Sequence, residues 1–310
     1  MLTVTRYHRA KNTFKKIFNH RWGFLFGKIC ETLQNHISKI SCRKLRGVAL
    51  PESIAVETCT QCNNNCSFCP QSSNPRPIEY LSEIHYQQLV DKIVDARFGG
   101  ALLMSINNEP LLDSRLERFV SYARVRGFTG RIGMFTNGLL LSEERAISLL
   151  KAGVQYIIIN SYSNSGDKIM GKVKEWIASS EKIKELNTQF PHVQIHLLYR
   201  CKDDVLDNRA GEAPNKKTVY CRRAACVFPF SMMNITTDGS LILCCYDFYC
   251  TTKFAHIGDG SLAELWRHHY LLRARNKLYE ADRTELSLCA KCDFRGYTER
   301  PPGIFRFFPV

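Results

Sequence analysis

The sequence predicts an α/β fold built on a parallel sheet, and three observations carry that expectation. After Pro51, short apolar runs alternate with segments of helical periodicity. The runs are of strand length and apolar nearly throughout, as strands covered on both faces are. The segments between them keep their apolar residues on one helical stripe, and one is framed by Ser142 and Gly153, residue types that open and close helices.

The elements follow in order. SIAVET (53–58) reads as the first strand and residues 81–98 as the first helix of the series. ALLMSI (101–106) is a second strand, followed by a helix through 116–127. RIGMFT (131–136) is a third strand and 142–153 a helix. VQYIIIN (154–160), a helical 165–187 and VQIHLLY (193–199) complete the alternation. Five strands joined by helices imply a doubly wound sheet or a barrel. Residues 201–225 are polar and read as a connector. Two strand-like runs then flank Asp238-Gly239, a hairpin signal, and a helix is expected over 261–280. These breaks suggest a basic extension over 1–50, a main α/β unit over 51–210 and a C-terminal unit over 211–310.

With 45% hydrophobic and 23% charged residues, the 310-residue chain has the composition of a soluble globular protein with a sizeable core. No run approaches the 18 apolar residues of a membrane span, and the N-terminus lacks the apolar stretch of a secretory signal, so a cytoplasmic location is expected. In that reducing setting the 14 cysteines read as metal-site candidates before disulfides. The net charge of +14 is concentrated in residues 1–50, where eleven Lys or Arg face the single acid Glu31. Apolar residues from Phe14 to Leu33 interleave with those cations at helical spacing. A helix packed on the body with a solvated basic face fits this, as does docking to an acidic partner or a membrane surface.

Cys59, Cys62, Cys66 and Cys69 fall within eleven residues directly after the first strand. A zinc ribbon separates its two cysteine pairs by a much longer stretch, and the bacterial ferredoxin run places its three-residue gap last. Cys62, Cys66 and Cys69 form C-x3-C-x2-C in the loop after the first strand, where α/β sheets and barrels place ligands. Three thiolates on a four-iron cluster leave one iron open to a small molecule.

This loop resembles the cluster loop of the radical S-adenosylmethionine (SAM) superfamily. The resemblance implies a partial (β/α)6 barrel, with the cluster on Cys62, Cys66 and Cys69 chelating SAM through its open iron. Other strand ends fit. INNEP (106–110) is similar to the segment whose backbone and acid hold the methionine amino group, with Asn107 and Asn108 standing where glycines are usual and Glu109 retained. FTNG (135–138) ends the third strand. By the same resemblance, Asn160 and Ser161 would meet the ribose and Arg200 the cofactor carboxylate.

The C-terminal cysteines resemble the SPASM extension in its shorter twitch form, a β-hairpin and helix around an auxiliary cluster. Cys226, Cys244, Cys289 and Cys292 would hold that second 4Fe-4S cluster, with Cys245 able to exchange for Cys244. A tetrathiolate zinc site remains the competing reading of the same four thiols. Cys250 is spare. Cys30, Cys42 and Cys201 read as plain buried or free thiols, while Cys59 and Cys221 stay undecided.

The resemblance implies reductive cleavage of SAM, fed by an external one-electron reductant such as flavodoxin or ferredoxin, and hydrogen-atom abstraction from substrate. A cluster with all four irons ligated by cysteine can accept an electron but not a substrate. That favours dehydrogenation of a secondary alcohol of a carbohydrate or aminocyclitol, with Arg209 orienting the substrate oxygen. Alternatives are modification of a ribosomally made peptide, redox-neutral sugar chemistry with Cys245 or Cys250 as hydrogen donor, and a zinc-stabilised module binding nucleic acid through residues 1–50.

Overall fold

The computed structural model describes residues 35–160, 193–199, 203–217 and 223–296, together with isolated positions at 32, 161, 181, 185 and 188. A helix, α1, covers 35–45. The five expected strands form as β1 (Ser53–Val56), β2 (Ala101–Leu103), β3 (Arg131–Thr136), β4 (Tyr156–Ser161) and β5 (Gln194–Tyr199). Between them run α2 (Glu83–Asp95), α3 (Leu116–Val125) and α4 (Glu143–Ala152). The helix expected over 165–187 and the basic stripe from Phe14 to Leu33 fall almost wholly outside the described residues.

Helix ends follow the capping chemistry. The Ser82 hydroxyl accepts from the His85 amide and that of Ser142 from the Arg145 amide, each at 3.1 Å. Gly153 closes α4 at φ 114°, a left-handed conformation that favours glycine. The expected strand over 101–106 stops at Leu103, and the backbone beyond it bends through 105–108 into the candidate site.

All five strands pair in parallel, in the order β5-β4-β3-β2-β1. The sheet then continues past β1. The expected hairpin forms from β6 (Met232–Ile235) and β7 (Ser240–Ile242), and β6 pairs in parallel with β1 from Ser53↔Met232 to Val56↔Ile235. A short β8 (Ala255–His256) closes an eight-stranded sheet. A sixth parallel strand is thus contributed by the C-terminal part of the chain, on the open edge of β1.

Alternation along the strands separates two faces. Ile54, Val56, Leu102, Ile132, Met134, Ile157, Ile159 and Met233 join the large core with Tyr86, Leu89, Ile93, Phe119 and Val120 of α2 and α3. Ala55, Leu103, Tyr156, Ile158 and Met232 form a smaller cluster on the other face, joined by Ile106, Phe135, Leu198 and Cys245. This inner cluster contains no helix residue among those described.

The helix expected over 261–280 is broken into α5 (Leu262–Trp266) and α6 (His269–Tyr279). Ser261 and Glu264 cap α5 reciprocally, and His268, at φ −52° and ψ 137°, leaves the helical region and caps α6 by accepting from the Tyr270 amide. The Arg275 guanidinium fastens the corner, lying 3.7 Å from the Trp266 ring centroid and donating to the Trp266 carbonyl at 2.9 Å. On the far side α1 packs on the C-terminal part. The Asn35 side-chain oxygen accepts from the Ala225 amide, and Arg46 donates to the Asn276 side chain, each at 3.0 Å. Among the described residues no helix is long and apolar enough to cross a membrane.

Gly133 on β3 stands opposite Tyr156 on β4, and a Cβ there would lie 1.9 Å from the Tyr156 ring. The ring closes over the strand only because no side chain is present. Gly133→Ala should therefore cost about 1–3 kcal/mol through overpacking, read as a lower melting temperature of the purified protein; an unchanged melting temperature would contradict this packing.

Candidate functional site

The site spans the inner face of the sheet, from one end of its strands to the other. At the C-terminal end of β1 the chain enters the Cys62–Cys69 loop. Its second half is wound into a tight turn, with the Cys69 amide donating to the Cys66 carbonyl at 3.0 Å and Ser72 donating to the Cys69 carbonyl from both its amide and its hydroxyl. Burial pushes the Cys62 thiol up to about 11, with Glu109 and Cys69 as neighbouring negative charges. The Asn137 side-chain Nδ2 donates to the Cys62 sulfur at 3.8 Å and to the Asn63 side-chain oxygen at 2.8 Å. Cys59 is turned away from this set. It lies fully buried, its thiol 3.8 Å from the Glu109 carbonyl and from the Asn108 amide nitrogen. The structure thereby separates Cys59 from the three-thiol loop.

The Glu109 carboxylate, the acid expected to hold an amino group, accepts from Thr136 Oγ1 at 2.7 Å, the Asn137 backbone amide at 2.7 Å and the Leu111 amide at 3.1 Å. Burial raises its pKa against those three donors. Its own amide donates to the Gln61 carbonyl at 2.8 Å, next to Cys62. Side chain and backbone of Glu109 together join the bend after β2 to the end of β3 and to the entry of the thiol loop.

Asn160 is buried at the end of β4, in register with Leu198. Ser161 is described by its backbone alone, and Arg200 lies outside the described residues. His196 stays a buried strand residue bonded to Gln194, its pKa lowered by desolvation.

The second thiol set assembles at the opposite end of the sheet. Cys226 precedes β6, and β7 runs antiparallel to β6, so Cys244 emerges beside the start of β1. Cys226, Cys244, Cys289 and Cys292 are all buried and close enough to raise one another's pKa values. Burial is the larger cause for Cys226 and Cys292, pushed up to about 11 and about 12. Cys244 is raised first by the hydrogen bond it shares with Cys245 and then by burial. Of the adjacent pair, Cys244 joins the thiol set and Cys245 packs against the inner face. Cys42 of α1 is a buried free thiol beside Cys226, as its plain reading implied.

Four buried neutral thiols have little reason to converge unless a metal centre supplies the positive charge that makes them thiolates. A zinc ion takes four thiolates directly, and a four-iron cluster gives each thiolate its own iron; four converging cysteines suit either centre. The Arg283 guanidinium supplies cationic charge beside them and is itself held by the carbonyls of Ala224 at 2.8 Å and Phe294 at 2.9 Å.

Arg209 bridges the two ends. Asn208 fastens its turn to the Cys289–Cys292 loop, donating from its amide to Asp293 at 2.7 Å and from its side chain to the Lys291 carbonyl at 2.7 Å. Arg209 and Ala210 both have positive φ, 47° and 56°, a conformation that costs energy in non-glycine residues and is held here by the surrounding bonds. The guanidinium then reaches across to the Asn107 side-chain oxygen at 2.7 Å and lies 5.7 Å from the Tyr246 ring centroid. Tyr246 in turn donates from its amide to the Cys244 sulfur at 3.4 Å and from its hydroxyl to Asp207 at 2.9 Å.

Several of these residues carry no motif. Asn137 belongs to the FTNG turn, where nothing in the sequence gives it a role, and Tyr246 has only its position beside the cysteines as a signal. Glu57, Arg76 and Arg283 offered none. Arg76 forms a bidentate ion pair with buried Glu57, at 2.6 and 2.9 Å, and donates to the Cys250 sulfur at 3.4 Å.

Comparison with known proteins agrees with this architecture. The family model described as the radical SAM superfamily matches residues 56–200, and that of the SPASM iron–sulfur cluster-binding domain matches residues 226–293. The S-adenosyl-L-methionine-dependent 2-deoxy-scyllo-inosamine dehydrogenase of Niallia circulans is 26% identical over 241 residues, which is 77% of this chain and 92% of that protein. Among solved structures, BtrN in complex with AdoMet and 2-DOIA superposes with a TM-score of 0.68 at 25% identity, covering 79% of this chain and 94% of that one. Selenomethionine BtrN in an open conformation superposes at 0.58 with 22% identity, over 79% and 93%, which speaks to the fold alone.

Hydrogen bonds to cluster sulfurs help set reduction potential. Asn137→Ala should lower the midpoint potential of a cluster reconstituted on Cys62, Cys66 and Cys69 by tens of millivolts, read by an EPR-monitored redox titration. An unchanged potential would remove the Asn137–Cys62 contact from the account.

Proposed function

Because the chain belongs to the radical SAM superfamily and carries a SPASM iron–sulfur domain, we propose that it is an oxidoreductase that dehydrogenates a secondary alcohol of an aminocyclitol. The observation that carries this reading is its similarity to the 2-deoxy-scyllo-inosamine dehydrogenase along nearly the whole of that protein.

The enzyme works with SAM and two 4Fe-4S clusters. When bound, these groups supply a carbon-centred radical that removes a hydrogen atom from the substrate, and an acceptor for the electron left behind. Cys62, Cys66 and Cys69 would hold one cluster and leave an iron for SAM, whose ribose and carboxylate would fall to Asn160, Ser161 and Arg200. Cys226, Cys244, Cys289 and Cys292 hold the other and close it to substrate. Arg209 offers a fixed fork of donors to the reacting oxygen and stabilises the charge that grows there as its proton leaves. The apolar inner face of Ala55, Leu103, Ile158 and Met232 keeps water from the radical.

Thiols that hold iron–sulfur clusters need a reducing setting, which fits a cytoplasmic location and a small electron carrier such as flavodoxin or ferredoxin as the source of electrons.

The test is anaerobic turnover of the reduced, reconstituted protein with SAM and 2-deoxy-scyllo-inosamine carrying deuterium at the carbinol carbon. The expected result is a ketone and deuterated 5′-deoxyadenosine in equal amounts, with Arg209→Ala losing about two orders of magnitude in kcat/KM. An isomer of unchanged mass would favour redox-neutral sugar chemistry, and the absence of any product would turn the search to other alcohols.

A further inference from the structure

We infer that Asn107 is a positioning residue that ties the substrate-side arginine and the auxiliary loop to the SAM end of the sheet. This deepens the reading above and rests on it. The radical SAM segment that INNEP resembles has glycine at this position, and an asparagine there brings a side chain into the middle of the site.

That side chain uses both ends. Its oxygen accepts from Arg209 Nη2 at 2.7 Å and its nitrogen donates to the Cys245 carbonyl at 3.1 Å, across sequence separations of 102 and 138 residues. The Asn107 amide donates to Glu57 Oε1 at 3.2 Å, and Glu57 is held by Arg76. One residue thus joins the exit of β1, the bend after β2, the strained Arg209 turn and the loop that presents Cys244. Asn107 is itself buried, at 8% exposure, so these bonds form away from bulk water, where a lost partner is costly.

The geometry assigns each contact a separate effect. An unanchored Arg209 guanidinium has several rotamers, and a misplacement of about 1 Å at a reacting atom is enough to cost a large factor in rate. The Cys245 carbonyl follows Cys244 directly, so losing its donor loosens the thiolate that completes the auxiliary set. Neither effect acts on SAM itself. Removing the side chain should therefore uncouple SAM cleavage from product formation.

The experiment compares Asn107→Gly, Asn107→Asp, Arg209→Ala and the Asn107→Gly/Arg209→Ala double variant in full-length reconstituted protein, with 2-deoxy-scyllo-inosamine as the probe. Expected for Asn107→Gly is a fall of about tenfold or more in ketone formed per 5′-deoxyadenosine, and the double variant should lose much less than the product of the two single losses, because the contact with Arg209 is shared and only the bond to Cys245 is separate. Asn107→Asp keeps the acceptor for Arg209, through a charge-assisted bond, and should recover most of the coupling. A wild-type ratio in Asn107→Gly, or losses that multiply in the double variant, would overturn the inference. A substrate-free arm keeps the two readings distinguishable. The EPR signal of the reduced auxiliary cluster should shift in Asn107→Gly and in Asn107→Asp, since both lose the donor to Cys245, and an unshifted signal would overturn the inference even if this aminocyclitol proves not to be the substrate.

Discussion

The parallel pairing of β1 with β6 is the constraint on which the site depends. Four register pairs, extended by the Glu52 amide on the Ser231 carbonyl and the Glu57 amide on the Ile235 carbonyl, attach the C-terminal segment to the open edge of the sheet. The exit of β1 leads straight into Cys62–Cys69, while the approach to β6 and the return of β7 bring Cys226 and Cys244 to the other end. The length of β1, roughly 13 Å at about 3.3 Å per residue, therefore separates two thiol sets with the inner face between them. On the proposed function, a substrate on that face would lie between the end that holds SAM and the end that accepts an electron.

Polar bonds hold that geometry where the apolar core does not reach. Glu109 accepts from Thr136 and Asn137 at the end of β3 and from Leu111, while its amide donates to the Gln61 carbonyl at the entry to the first thiol loop, and Asn208 with Asp293 locks the Arg209 turn to the last cysteine pair. Buried polar groups satisfied in this way rigidify their surroundings at the cost of tolerating few substitutions. The second thiol set is positioned likewise, by Arg283 and by the Tyr246 amide on Cys244.

Much of this was legible in the sequence where the signal is local. The strands were readable from apolar runs, the caps at Ser142 and Gly153 from residue type, and the thiol loop from its spacing. Pairing partners were not, because periodicity shows that 232–235 is a strand without showing that it lies beside β1. The break at Arg267–His268 was hidden for a related reason, since a cap made by histidine carries a weak signature and Arg275 secures it from the next helix. Glu109 was found as a site residue, yet its task depends on Thr136 and Asn137, which the sequence places 27 and 28 residues away. The Asn107–Arg209 contact, longer in range still, could be seen only once the sheet had brought its two ends together.

The claim that two distinct iron–sulfur sites occupy the two ends of one sheet is tested most directly by metal and sulfide analysis of the anaerobically reconstituted protein. The account predicts about eight irons and about eight sulfides per chain, falling to about four of each when Cys62, Cys66 and Cys69 are replaced together by alanine. Four irons in the unaltered protein, or zinc in place of the second set, would contradict it.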